Sequence, residues 1–159
     1  MNIVVISGSS AAFKLGHDLL EIAKSTNWKW CIQSVALGSK NVSENIRTEE
    51  FIDVQSALRK CDVLISHCGA GTVFWALEKK LKFITIVDED RHDDHQWDLG
   101  NYLEHNDLCL VLRGRAPTIS EITDVFENRK FSEYTKMGLK NLKSELSDFE
   151  ASDVFNANY

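Results

Sequence analysis

The stretch Cys61-Asp62-Val63-Leu64-Ile65-Ser66-His67-Cys68-Gly69-Ala70-Gly71-Thr72-Val73-Phe74-Trp75-Ala76-Leu77 decides the fold. Val63, Leu64 and Ile65 form a short apolar run of the kind buried in a sheet, two glycines follow, and Thr72 opens an apolar pattern at helical spacing. Strand, turn and helix in that order aim backbone N–H groups and the positive helix end at one point, which suits a phosphate or another anion. The glycines alone carry a second reading, a tight turn that needs Gly for its backbone angles and binds nothing.

Upstream, Ile3-Val4-Val5-Ile6-Ser7 is a continuous β-branched run closed by Gly8-Ser9-Ser10, and Leu15, Leu19, Leu20, Ile22 and Ala23 continue as a helix. Trp28 to Val35 reads as a second strand, Gly38 to Asn41 as loop, and Phe51-Ile52 as a weak third strand before a short helix through Val54, Ala57 and Leu58. Downstream, Phe83 to Val87 is a buried strand. Asp93 or Asp94 is placed to cap a helix carrying Trp97, Leu99, Tyr102 and Leu103. Leu108 to Leu112 is a last strand, and Thr118 or Ser120 begins a helix through Ile122, Val125 and Phe126. The alternation predicts an α/β fold, a Rossmann-like parallel sheet with helices on both faces. Tyr134, Met137, Leu142, Leu146 and Phe149 recur near helical spacing, giving a C-terminal amphipathic helix that packs on the domain or on a partner.

The chain has 159 residues, 43% hydrophobic and 26% charged, which fits one domain with a sizeable core. A net charge of −6 without a basic cluster argues against nucleic acid as a partner. No segment approaches the roughly 20 apolar residues of a membrane span. Met1 to Ile6 lacks the basic and long apolar regions of a signal peptide, so the expected location is the cytoplasm. Cys31, Cys61, Cys68 and Cys109 have no CxxC spacing and read as reduced packing residues. Cys68 has a further reading as a reactive thiol beside the glycine turn.

In open parallel sheets, ligands sit beyond the carboxyl ends of the strands. Three loops there are polar: Ser7 to Ser10, Ser66 to Thr72, and Asp88 to Gln96. Gly8 with Ser9 and Ser10, and Gly71 with Thr72, can present donors to a diphosphate. Phe74 stands where a dinucleotide fingerprint needs its third glycine, and no Gly-Lys-Ser/Thr phosphate loop exists. Asp90, His92, Asp93, Asp94 and His95 are all residues that can ligate a metal, but their spacing matches no metal motif, and a solvated charge run is the expectation. His67 either hydrogen-bonds within its loop or contacts a ligand.

Ser66-His67-Cys68-Gly69-Ala70-Gly71-Thr72, Phe83-Ile84-Thr85-Ile86-Val87 and Asp93-Asp94-His95-Gln96-Trp97-Asp98-Leu99 together resemble the C-terminal domain of family 28 glycosyltransferases. The likeness runs from the Val5-to-Ser10 strand and loop to about Leu112, and is closest to the small subunits of split transferases of the dolichol-linked GlcNAc and bacterial capsule and exopolysaccharide types. It implies one half of a GT-B fold, with residues 1–130 as the nucleotide-sugar-binding domain and 131–159 as the helix and tail.

The resemblance also implies a function. A UDP-sugar donor would bind here, and a membrane-anchored acceptor-binding subunit would complete the cleft, hold a lipid-linked sugar acceptor and keep this chain peripheral at the membrane. Gly69, Gly71 and Thr72 would hold the diphosphate, Gly8 and Ser9 would line the same cleft beside His67, and Asp93, His95 and Gln96 belong to the motif that meets the donor sugar. No cofactor or metal is expected, and no residue stands out as the general base. At one position the chain departs from the pattern: a Glu or Asp placed for the ribose hydroxyls is Trp75 here, with Glu78 nearly a turn later. Gly100 likewise replaces a small alanine. A subunit that activates or scaffolds a partner transferase without catalysing is the alternative expectation.

Overall fold

The computed structural model describes residues 1–7, 15–89 and 95–134. Its strands are β1 (Asn2–Ile6), β2 (Lys29–Gln33), β3 (Lys40–Ser43), β4 (Ile46–Glu49), β5 (Val63–His67), β6 (Phe83–Val87) and β7 (Leu110–Arg113). Its helices are α1 (Gly16–Lys24), α2 (Val54–Leu58), α3 (Ala70–Glu78), α4 (His95–His105) and α5 (Ile119–Glu127). The strands form one seven-stranded sheet in the order β3-β4-β2-β1-β5-β6-β7, parallel throughout except for β3.

Strand periodicity divides the core. Ile3, Val5, Val63, Ile65, Ile84 and Ile86 point to the face covered by α1 and α5, against Leu19, Leu20, Ala23, Ile122 and Val125. Val4, Ile6, Leu64, Phe83 and Val87 point to the other face, against Leu58 of α2, Val73, Ala76 and Leu77 of α3, and Leu99 and Leu103 of α4. A strand buried on both faces has no polar side to show, so these segments are continuous apolar runs rather than alternating ones.

The region between β2 and α2 differs from the sequence expectation. Phe51 and Ile52 are not a strand, and Phe51 is 72% exposed. The strand beside β2 is β4, and Lys40 and Asn41, expected as loop, belong to β3, which pairs antiparallel with β4 across a register shift at Asn41/Ser43. The hairpin is held from outside. Trp30 N–H donates to the Asn45 carbonyl at 2.8 Å, and Asn45 Nδ2 donates to the Trp28 carbonyl at 2.8 Å. Only Ile46 and Thr48 of these two strands are buried, so the apolar run that marks the other strands is missing.

The boundaries elsewhere follow local chemistry. Thr118 caps α5 in a reciprocal box: its Oγ1 accepts from Glu121 N–H at 3.2 Å, and Glu121 Oε2 accepts from Thr118 N–H at 2.8 Å. Arg115 grips the same carboxylate through two bonds of 2.9 and 2.6 Å. Tyr134 is the last described residue of the expected C-terminal helix, and Met137, Leu142, Leu146 and Phe149 lie outside the described residues.

Order in the sheet positions the site. The chain leaves β1 toward β2 on one side and leaves β5 toward β6 on the other, so the connections after β1 and β5 part and open a crevice at the carboxyl ends of adjacent strands.

Two outcomes follow at the α5 cap. Thr118→Ala should cost about 1 kcal/mol in chemical denaturation. Hydrogen bonds from Arg115, first, and from Thr118 hold the Glu121 carboxyl down from its ordinary 4.5 to about 2. Its folded value is depressed, so its contribution to stability is full above the ordinary carboxylate range and is lost as pH falls from there toward 2. Denaturation midpoints measured across that interval should fall less steeply in Glu121→Gln than in the wild type.

Candidate functional site

The crevice is built on the junction of β5 and α3. Cys68 N–H donates to the Ile86 carbonyl at 2.8 Å, continuing the β5–β6 ladder past the strand end, and Gly69 N–H donates to the His67 carbonyl at 2.8 Å to make the turn. Gly69 is the N-cap of α3, with extended backbone (φ −97°, ψ 131°) and no side-chain hydrogen bond to the helix. No acidic residue stands in the first turn. The first N–H groups of a helix have no partner within it, so this end offers donors and partial positive charge with nothing of the helix's own to neutralise them. The helix starts two residues earlier than the sequence pattern placed it, because the helical backbone already includes Ala70 and Gly71.

The two glycines serve different ends. A Cβ on Gly69 would lie 2.2 Å from Nε2 of His67, so the imidazole occupies the space that any side chain there would need. A Cβ on Gly71 would meet nothing within 4 Å, and the residue is exposed. Gly69 is therefore a packing requirement, while the openness at Gly71 leaves the backbone donors accessible to a ligand. Thr72 is half-buried beside it.

Cys68 is 1% exposed, and burial pushes its thiol up to about 11, with the Thr85 hydroxyl opposing the shift. Burial likewise lifts Cys61 to about 12 and Cys109 well above the usual thiol range. These cysteines are neutral packing groups at physiological pH, which removes the reactive-thiol reading of Cys68.

His67, Gly69, Gly71 and Thr72 thus come together at one turn. His95 and Gln96 begin α4, the helix after β6, and β6 is the neighbour of β5 in the sheet. His95 is exposed, whereas Gln96 is 6% exposed and its Oε1 accepts from Asp88 N–H at 3.1 Å. Gly8, Ser9, Asp90, His92, Asp93 and Asp94 lie outside the described residues; Gly8 directly follows Ser7, the buried residue after β1. Among the described residues no group of three or more His, Cys, Asp or Glu side chains is placed to hold a metal ion.

Sequence reasoning missed the groove on the flank of this site. Gly71, Trp75 and Lys79 recur every four residues and share one face of α3. Trp75 and Lys79 line a cleft of about 440 Å³ with Gln55, Leu58, Arg59 and Leu81, a lining with two cations and no carboxylate. Lys79 Nζ stands 5.9 Å from the indole centroid. The four-residue spacing was visible in the sequence; the approach of α2 that turns it into a cleft was not. Arg113 at the end of β7 was missed as well. It stacks on Trp97 at 5.4 Å and bonds Asn101 Oδ1 at 3.0 Å and Glu104 Oε2 at 2.7 Å, tying β7 to α4.

Comparisons with known proteins agree with this architecture. The model of the glycosyltransferase family 28 C-terminal domain matches residues 2–150. The chain is 29% identical over 116 residues to the UDP-N-acetylglucosamine transferase subunit ALG13 of Mus musculus, a match that covers 65% of this chain and 10% of that protein. It therefore spans about a tenth of the length of this relative. Among solved structures it superposes on MurG of Acinetobacter baumannii with a TM-score of 0.60 at 20% identity, covering 79% of this chain and 40% of that one. The glycotransferase of kitacinnamycin gives a TM-score of 0.65 at 14% identity, covering 80% of this chain and 35% of that one. The fold is that of the Rossmann-like C-terminal half of GT-B glycosyltransferases.

Gly69→Ala should displace the His67 ring and lower thermal stability, because the imidazole must leave its half-buried position against the glycine. Gly71→Ala should leave it within about 1 kcal/mol of the wild type, the usual helix gain of Ala over Gly setting the sign. Paired melting curves of the two variants check the distinction.

Proposed function

The chain belongs to the glycosyltransferase family 28 C-terminal domain family, and from that premise we propose that it is the donor-binding subunit of a two-component inverting glycosyltransferase using a UDP-sugar. The observation that carries the reading is the N-terminus of α3, uncapped by any side chain, free of acids in its first turn and open at Gly71, set at the switch point of a parallel sheet. Such a site suits a diphosphate better than a neutral ligand. The mouse relative's name, a UDP-N-acetylglucosamine transferase subunit, supports both the nucleotide-sugar and the existence of a partner.

In this reading Gly69, Gly71 and Thr72 hold the diphosphate with His67 behind them, Gly8 and Ser9 would line the same cleft, and the motif of Asp93, His95 and Gln96 would meet the donor sugar. An acceptor hydroxyl attacks the anomeric carbon, the bond from that carbon to the diphosphate oxygen breaks with inversion, and UDP leaves with the electron pair. Donors already aimed at the diphosphate stabilise the charge that develops on it, without reorganising as it forms. The acceptor's proton goes to a base on a membrane-anchored partner that binds a lipid-linked sugar. Among the described residues no helix is long and apolar enough to cross a membrane, which is consistent with attachment through that partner at the cytoplasmic face.

Trp75 favours a second reading. An indole has one donor and no acceptor, so it cannot accept the hydroxyl hydrogen bonds of a ribose as a carboxylate does. A subunit that lost the donor but kept the fold would activate or scaffold the partner transferase.

Gly71→Asp separates the two. The added carboxylate has open space and a favourable helix end, so folding should be unaffected, but it occupies the N–H donors and repels a diphosphate. Calorimetric titration should show wild-type binding of UDP, alone or with the co-purified partner, and at least about a hundredfold loss in the variant. Absence of UDP binding in both states of the wild type overturns the donor reading, and unchanged transfer by the Gly71→Asp pair establishes the scaffold reading.

A further inference from the structure

We propose that Arg113 is a positioning residue for the sugar end of the site: its guanidinium locks the first turn of α4 to the end of β7, so that its loss weakens recognition of a donor sugar and spares that of the diphosphate. The consequence for the ligand rests on the donor-site reading above; the lock itself does not.

Arg113 ends β7 on the face that α4 covers. It follows Val111 by two residues, and Val111 packs with Leu99 and Leu103 of α4 in the core. The chain turns away directly afterwards at Gly114, whose φ is 60° and whose N–H donates to the Val87 carbonyl at 3.0 Å, so the base of the Arg113 side chain is held to the end of β6 as well. From there the guanidinium meets α4 at several points. It stands 5.4 Å from the Trp97 ring, and its Nη2 donates to Asn101 Oδ1 at 3.0 Å and to Glu104 Oε2 at 2.7 Å. Positions 97, 101 and 104 follow the helical spacing and make one stripe along α4.

The buried face of α4 supplies contact without direction. Leu99 and Leu103 are apolar, and apolar contact is non-directional. Between them Gly100 has no side chain to key into the sheet, since a Cβ there would lie 2.7 Å from Cγ2 of the fully buried Val87. The directional restraint is the guanidinium, which sets its plane against the indole and spends both hydrogens of one nitrogen on the helix. Lysine would carry the charge but offers neither the plane nor the fork.

Stability does not account for this arrangement. The Arg113 and Glu104 side chains are 26% and 56% exposed, and an ion pair in that setting contributes little to folding. What the contacts fix is the helix: Trp97 lies in the first turn of α4, two residues from His95, and His95 and Gln96 belong to the motif that would meet the donor sugar. The diphosphate donors lie apart, on the turn between β5 and α3. Arg113 acts there as a distant charge on the buried Cys68 thiol and bonds none of its groups.

The test compares Arg113→Lys and Arg113→Met in the full chain, alone and with the co-purified partner. Amide exchange is read at Leu99, whose N–H closes the first turn of α4, and at Ala23 in α1 as the control. Calorimetry uses UDP, UDP-glucose, UDP-galactose and UDP-N-acetylglucosamine as the probes. Expected in both variants are about tenfold faster exchange at Leu99 with Ala23 unchanged, and a Kd that rises about fivefold for the UDP-sugar the wild type binds but stays within about twofold for UDP. Unchanged Leu99 exchange in Arg113→Met overturns the lock, and an Arg113→Lys protein that matches the wild type shows that charge suffices and overturns it too. Equal losses for UDP and the UDP-sugar, or none for either, overturn the role at the sugar end. If Arg113→Met does not fold, Arg113→Lys decides by itself. If the wild type binds none of the probes in either state, the donor reading fails while the exchange result still decides the lock.

Discussion

Everything in this protein depends on sealing β1 and β5 between two layers of helix. Val5, Val63, Leu64 and Ile65 are fully buried, and the neighbours that bury them come from helices far apart in the chain. Once both faces of a strand are covered, polar function has only the strand ends to use. The turn after β5 is therefore a place where donors and open backbone collect, and the divergence of the β1 and β5 connections opens a crevice beside it.

At that crevice the chain relies on backbone rather than side chains. The α3 N-terminus has neither a capping side chain nor an acid in its first turn to quench its partial charge. Compare α5, where Thr118 and Glu121 satisfy two donors of the same kind of helix end and Arg115 holds the Glu121 carboxylate in place. One helix start is capped by side chains and the other is not. Cys68, 1% exposed at the turn, supports it as a neutral packing group.

Much of this was visible in the residues. The apolar runs at Ile3–Ile6, Val63–Ile65 and Phe83–Val87 marked their strands correctly, and of the two helix starts offered, Thr118 and Ser120, the structure takes Thr118 as the cap of α5. The hairpin of β3 and β4 was hidden because its strands are short, polar and at the sheet edge, and the apolar pair Phe51-Ile52 nearby drew the strand to the wrong place. Phe51 is largely exposed, so its apolar character reported no burial at all. Within the site, Gly69 and Gly71 look alike in sequence, yet one makes room for His67 and the other makes room for nothing of the protein's own.

By itself the sequence determined the alternation of strand and helix outside the β3–β4 hairpin and the strand-turn-helix at Val63–Leu77, because these follow from periodicity and from the backbone freedom of glycine over a few residues. Only the tertiary structure decided which strand lies beside β2, that Trp75 and Lys79 face α2 across a cleft, and that Gln96 turns inward to Asp88 rather than outward. The physical reason is distance along the chain. A propensity acts within a turn of helix, whereas the direction a side chain takes at a helix end is set by how closely that helix lies on the sheet, and at α4 that closeness hangs on the missing Cβ of Gly100 against Val87.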